Sequence, residues 1–412
     1  MSFFSWLDYS ESERNKVLEL VNALGDRDTR DELGIGTVRD SFADQLFPGT
    51  STIQTRARYF LFVPWIYLII ERRLRTNKVA GKEEIAKRLR NEEISLINYL
   101  AESDDPEGTI GIDARKTLKR LPSSVYWNGL SAWGIRICNG SQDQYNHALH
   151  VHGPPKPLTM RSREDSIETG RNLQNWHPGL PPCPKYFPYV ETSLSLTSEE
   201  ANYLRERIMH NAPGTFLAFL VDQGKSSKSV QFPWEHPQVG ELSSRYRKQL
   251  QHAQNFSETI HGAALLYNHL LAKASDSEEK NIEYNKKFTV WAMLIQSRKE
   301  TLRQWDLKEF WKIVYSVNLR IPRPTKIFID TWFDFVFKID DLQKLLDNHQ
   351  TESFIRDRER FLKKGQARLF NQRALELWGG AAGTNRLDYR WSTVQTIVTD
   401  IQKAYTGEYT SA

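Results

Sequence analysis

The twelve residues Tyr59 to Ile70, YFLFVPWIYLII, carry no charge and have Pro64 near their centre. A bilayer span needs about twenty apolar residues, whereas runs of about 10–14 are usually buried helices. The run therefore predicts a core helix and not an anchor. Pro64 has no N–H to offer the carbonyl of Phe60, so a kink or break is expected there. The flanks differ in kind. Upstream lies the polar, basic stretch TSTIQTRAR (Thr50 to Arg58), and downstream lies ERRLR (Glu71 to Arg75). One half of the element is a core anchor, and its start is a candidate contact for something charged.

A chain of 412 residues has room for two or three domains with real cores. It is 26% charged and 39% hydrophobic, as expected of a globular protein, and its net charge of +5 permits a polyanionic partner without requiring one. Cys138 and Cys183 stand in no metal-ligand pattern, which argues against a disulfide framework and a cysteine-based zinc site. The start, MSFFSWLDYSESER, has neither a basic n-region nor an apolar h-region, so the expected setting is a reducing cytoplasm with no membrane association. Twelve tryptophans either fill the interior, their ordinary role, or stack on bases.

Helical signals dominate. Ser10 to Leu24 has a capping serine, Glu13 three residues on, and Val17, Leu18, Val21 and Leu24 at helical spacing. Val38, Phe42 and Leu46 mark a second short helix, ended by Pro48 and Gly49. The third is the opening element, with Thr50 or Ser51 as its cap. Three short helices in this order have the layout of a helix-turn-helix or winged-helix unit. A similar pattern follows in KTLKRLPSSVYWNGLSAWGIRI, where Ser123 or Ser124 caps and Gly134 stops a helix, and again from Thr197 with Glu200. Long helices are expected over roughly 241–274 and 278–317. RIPRPTKIFIDTWFDFVFKI reads as a strand or short helix, and GGAAGTNRLDYRWSTVQTIVTDI as a glycine-rich turn leading into a capped helix. The expected fold is mainly α with minor β, built of tandem winged-helix or helix-turn-helix units plus a helical C-terminal region. Its expected parts are a DNA-binding or catalytic region over 1–138, an irregular loop or lid over 139–190, a middle helical or winged-helix region over 191–275, and a C-terminal helical region with a basic surface over 276–412.

The chain contains no GxxxxGK[ST], HExxH or GxSxG motif, and the GxG of LGIGT has no third glycine and no preceding strand. His147, His150 and His152 cluster in NHALHVHGPPK, but no carboxylate or cysteine completes a metal set, so no metal or organic cofactor is expected. Glu32, Asp40, Asp44 and Gln45 precede the opening element. A carboxylate beside a basic, polar helix start can activate water or stabilise an oxocarbenium-like state; such residues also serve as helix caps. Thr50, Ser51, Thr52, Gln54, Arg56 and Arg58 would put donors at a helix N-terminus, a ready phosphate contact, unless the arginines pair with Asp40 or Asp44. Further phosphate contacts are expected from Arg386, Arg390 and the run Arg356 to Arg373, which holds seven basic residues and two acidic ones.

The N-terminal blocks MSFFSWLDYSESER and DELGIGTVRDSFADQLFPGTSTIQTRARYFLFVPW, with PSSVYWNGLSAWGIRI and RLDYRWSTVQTIVTDI, resemble an uncharacterised family of bacterial proteins encoded beside phage-defence genes. Separately, STIQTRARYFLFVPW is similar to the helix after the catalytic segment in AlkZ-type winged-helix DNA glycosylases, matched here at Arg56, Ala57, Tyr59, Phe60 and Leu61. That family's catalytic motif would fall on Phe47, Pro48 and Gly49, which cannot do its chemistry. Either Asp44 or Gln45 has taken over, or the activity is lost.

The resemblances imply a DNA glycosylase in phage defence that extrudes a damaged or virally modified base from double-stranded DNA. Tyr126, Trp127 and Trp133 would form the base pocket and Asp44 would stabilise the sugar cation, alongside partners from a defence operon. The alternative is a DNA-binding or adaptor subunit without catalysis. A nuclease has only IDARK, at Ile112 to Lys116, to support it.

Overall fold

The computed structural model describes residues 31–76, 81–155, 174–189, 192–224 and 230–406. The amphipathic stretch Ser10 to Leu24 lies outside them. The described α-helices are α1 (Gly36–Leu46), α2 (Tyr59–Thr76), α3 (Lys82–Ala101), α4 (Pro122–Ala132), α5 (Gln142–His152), α6 (Ser198–Asn211), α7 (Phe216–Gln223), α8 (Ser244–Ala274), α9 (Glu278–Ser297), α10 (Lys299–Arg303), α11 (Leu307–Val317), α12 (Arg323–Lys338), α13 (His349–Lys363), α14 (Gln372–Glu376) and α15 (Trp391–Thr406). The fold is mainly α. Among the described residues the only β feature is an isolated antiparallel bridge between Arg136 and Trp176, so the strands that wings need have no counterpart there.

Local chemistry explains where these elements begin. Thr197 and Glu200 form the expected capping box of α6. A second box, Ser141 with Gln144, opens α5 inside the region expected to be irregular. That region looked loop-like because its Gln, Asn and His residues are polar; α5 buries only Tyr145, Asn146 and Leu149. Helix α12 replaces the expected strand or short helix. Its β-branched and aromatic residues suggested a strand, but Phe328, Ile329, Trp332, Phe333 and Val336 recur at helical spacing and are buried together. α2 starts at Tyr59 rather than at Thr50 or Ser51, and it runs on through Pro64 without the expected break. No helix among the described residues is long and apolar enough to cross a membrane.

The chain divides into two compact units, each closed by segments far apart in sequence. The first comprises residues 1–42 and 251–387, and the second residues 43–250 and 388–412. The first has an aromatic core in which Phe310 stacks on Phe42 (centroids 5.6 Å apart) and meets Phe256 and the edge of Trp305. In the second, every residue of α2 from Tyr59 to Tyr67 is buried, as a helix apolar on all sides requires, with α3 and α4 packed on it. Trp133 stacks on Phe60 with centroids 3.8 Å apart, and its indole N–H donates to the carbonyl of Pro48 at 2.9 Å. A Cβ at Gly129 would stand 2.4 Å from the Gly49 carbonyl oxygen, and Gly49 itself has φ +82°. The FPG triplet is thus a close-packed corner against α4. Most tryptophans serve the interior; Trp65, Trp133, Trp332 and Trp391 are among the largest fully buried side chains.

Neither Ser123 nor Ser124 caps α4; its N-cap is Leu121, and Pro122 occupies the first turn. The cap comes from another helix. Glu93, in the middle of α3 and 1% exposed, accepts from the Ser123 backbone N–H at 2.8 Å and from its hydroxyl at 2.7 Å. Burial pushes its carboxyl up to about 7, against the downward pull of the Ser123 bonds and Arg90. The folded protein therefore holds this proton at pH values where the unfolded chain has released it. The stabilisation is complete below the unfolded value and is lost as pH rises through the folded one. Glu93→Gln keeps an acceptor and removes the titration. Its melting temperature should fall less than the parent's between about pH 5 and 8; parallel curves would show that Glu93 does not contribute to the pH dependence.

Candidate functional site

The polar stretch before α2 is held from within. Arg56, 8% exposed, is shared between two carboxylates of the second unit. Its Nε donates to both oxygens of Asp400 at 3.0 Å, and Nη1 and Nη2 donate to Asp105 at 3.1 and 2.9 Å. Burial by itself would lower the guanidinium's pKa, but the two carboxylates reverse this and hold it above its ordinary value. Burial raises the Asp400 carboxyl more than Arg56 lowers it. The backbone donors are spent as well. The Thr55 and Arg56 N–H groups donate to the Tyr126 hydroxyl at 2.9 and 3.1 Å, and the Ala57 N–H donates to Asp400 at 2.9 Å. The anion expected at this helix start is Asp400 itself, on α15.

The neighbouring candidates are similarly engaged. Arg58 donates to Glu200 and to the Ser193 carbonyl, each at 2.8 Å. The Thr50 hydroxyl donates to the Phe47 carbonyl at 2.7 Å, Gln54 donates to Gly49 at 3.1 Å, and Gln54 also accepts from the Ser51 N–H at 3.1 Å; Thr52 is exposed. Arg390 donates to Asp44 at 2.7 Å and to the Thr50 carbonyl at 2.8 Å, while Gln45 accepts from Gln249 at 2.9 Å. Tyr126 and Trp133 are fully buried, and Trp127, 6% exposed, donates to the Gly140 carbonyl at 3.0 Å. These three rings are packed into the interior of the second unit. Of the carboxylates, Asp44 belongs to the second unit, and Glu32 and Asp40 belong to the first, where Asp40 pairs with Arg39 at 3.0 Å.

The first unit carries a small cleft. It measures about 70 Å³ and is bordered by Asp31, Glu32, Arg39, Ala264, Gly383 and Asn385 among others. Pockets for drug-sized ligands measure about 300 Å³ or more, so this cleft is too small for one. One wall is the glycine-rich turn, fastened to a polar stripe on α8. Ser257 donates to the Leu387 carbonyl at 2.8 Å, and Asn268 exchanges two 2.8 Å bonds with Ala382. His261 contacts the Thr384 carbonyl at 2.8 Å; burial lowers its pKa to about 4, so the ring is neutral and carries its proton on Nε2. Glu258 pairs with Arg386 at 3.0 Å and with Arg298. In the other wall, Asp31 accepts from the Ile35 and Gly36 N–H groups at 2.7 Å each, so LGIGT wraps a carboxylate of its own chain. Glu32 is buried against Lys363 and Arg368. Among the described residues no histidine, cysteine or carboxylate cluster could hold a metal ion.

The basic run from Arg356 to Arg373 splits in two. Arg356 pairs with Glu352 at 2.8 Å, Lys363 and Arg368 take Glu32, and Arg358 is buried, donating to the carbonyls of Leu33, Gly34 and Pro324. Arg360, Lys364 and Arg373 remain exposed and make no ion pair among the described residues. Phe361 and Phe370, which the sequence reading passed over, are exposed as well, Phe370 against the Arg360 guanidinium. Helical spacing could have found Phe361, because it breaks the polar face of α13.

If Arg56 is internal, Arg56→Ala strands two carboxylates. The loss should be about 3 kcal/mol, the low end for a broken buried pair because Asp105 stays partly solvated. Urea denaturation measures it. An Arg56→Ala protein of unchanged stability that had lost affinity for DNA would return Arg56 to the surface role expected from sequence.

No curated protein and no solved structure matches the chain. A family model described as a family of unknown function, DUF6361, matches residues 1–405, and the chain belongs to that family.

Proposed function

We propose that this protein binds DNA through the exposed basic face of its first unit, as part of a bacterial anti-phage defence set. The observation that carries this reading is the division within Arg356 to Arg373. Internal partners consume four of the seven cations, and the remaining three, Arg360, Lys364 and Arg373, stand at the surface without an ion pair among the described residues. Phosphate contacts of this kind supply sequence-independent affinity and make it fall with salt. The defence setting is supported by the sequence resemblance alone.

A second reading keeps the glycosylase chemistry of the AlkZ-type resemblance. One observation favours it: Glu32 borders a cleft, although Lys363 and Arg368 hold its carboxylate and the cleft would have to open to admit a base. Alkali-labile strand breaks after incubation with phage DNA carrying modified bases would support this reading, and their absence in DNA that the protein binds leaves the non-catalytic one.

The binding itself is tested by fluorescence anisotropy with a labelled oligonucleotide in single-stranded and duplex form, across a salt series. Replacing Arg360, Lys364 and Arg373 together by alanine should weaken binding about tenfold or more and flatten the salt dependence by up to about three released ions. Equal affinity and slope for the triple variant would overturn the proposal.

A further inference from the structure

We infer that this face takes an unpaired DNA strand, with Phe361 and Phe370 as platforms for its bases; the inference rests on the DNA-binding reading above. Four exposed residues of α13 and its end, Asp357, Arg360, Phe361 and Lys364, recur at three- and four-residue steps and so share one side of the helix. Phe361 is 59% exposed and Phe370 45%. The Arg360 guanidinium lies 4.2 Å from the Phe370 ring centroid, a stacked arrangement that leaves ring and cation together at the surface. The segment beneath Phe370 is held in place. The Phe370 N–H donates to Ala367 at 3.1 Å, and Asn371 donates to the Gly365 carbonyl at 2.6 Å while capping α14. Lys364, at φ +51°, is the exposed C-cap of α13, at the helix end where cations are favoured.

The chemistry selects the ligand. What sets these two rings apart is their company: Phe361 neighbours Arg360 and Lys364 on the exposed side of α13, and Phe370 carries the Arg360 guanidinium against its ring. A duplex hides its base faces in the stack and could engage only the cations. An unpaired strand offers a face for each ring and a phosphate for each of Arg360, Lys364 and Arg373. Asp357 is the one acidic residue on this side of α13, so the strand is expected to lie over Arg360 and Lys364, away from it.

The test uses the full-length protein and three probes: a labelled oligothymidine, the same strand paired with oligoadenine, and a strand of equal length whose bases are replaced by abasic tetrahydrofuran units. The unpaired oligothymidine should bind tightest. Phe361→Ala and Phe370→Ala, both at exposed positions, should each lower that affinity about tenfold and leave duplex binding unchanged. The abasic strand, which can stack on neither ring, should bind the parent protein about a hundredfold more weakly than oligothymidine does. Equal or tighter duplex binding, or phenylalanine variants that bind oligothymidine normally, would overturn the single-strand inference while leaving DNA binding intact. If no probe binds, the underlying reading fails as well.

Discussion

One buried arginine organises the second unit. Arg56 joins Asp105, in the turn after α3, to Asp400 on α15, and Asp400 also takes the Ala57 N–H. The chain before α2 is thereby bound to a segment more than three hundred residues downstream. Replacing such a group by apolar residues is often harmless, but removing one partner is costly because the others stay buried and charged. That asymmetry explains why the polar half of the Thr50 to Ile70 element is as constrained as its apolar half. It also takes Arg56 away from the surface, where sequence reasoning had placed a phosphate contact.

The same economy of charge recurs in the first unit. Arg358 is consumed by backbone carbonyls of the Leu33 to Gly34 turn, Glu32 by Lys363 and Arg368, and Glu258 by Arg298 and Arg386. These networks fasten loops that have too few apolar residues to hold themselves, the glycine-rich turn above all. What they leave over is informative. Cations that no internal acid claims, beside aromatic rings that no core claims, are the residues free to meet a partner.

Periodicity made much of the helical fold legible: α1, α6 and α15 follow from spacing and caps, and a twelve-residue apolar run with a central proline excluded a membrane anchor. Three kinds of feature were not legible. α12 reads as either a strand or a short helix because β-branched and aromatic residues favour strands until burial on one helical face overrides them. The cap of α4 could not be foreseen, since Glu93 reaches it from another helix. Arg56 resembled a phosphate ligand because a sequence shows a cation and its local neighbours but not an aspartate three hundred residues away. Of the candidate site, the basic run was visible as a whole; the split between its internal and external members needed the fold. Phe361 and Phe370 were hidden for the opposite reason, since an apolar residue is read as core by default.

Amide hydrogen exchange on the full-length protein, with and without oligothymidine, tests most directly the proposal that the exposed end of α13 binds DNA. The account predicts new protection over the end of α13 and the turn to Arg373, with no change from Thr50 to Arg58, where the Asp400 and Tyr126 bonds already hold the amides. Protection appearing at Thr50 to Arg58, with none at Arg360 to Arg373, would contradict it.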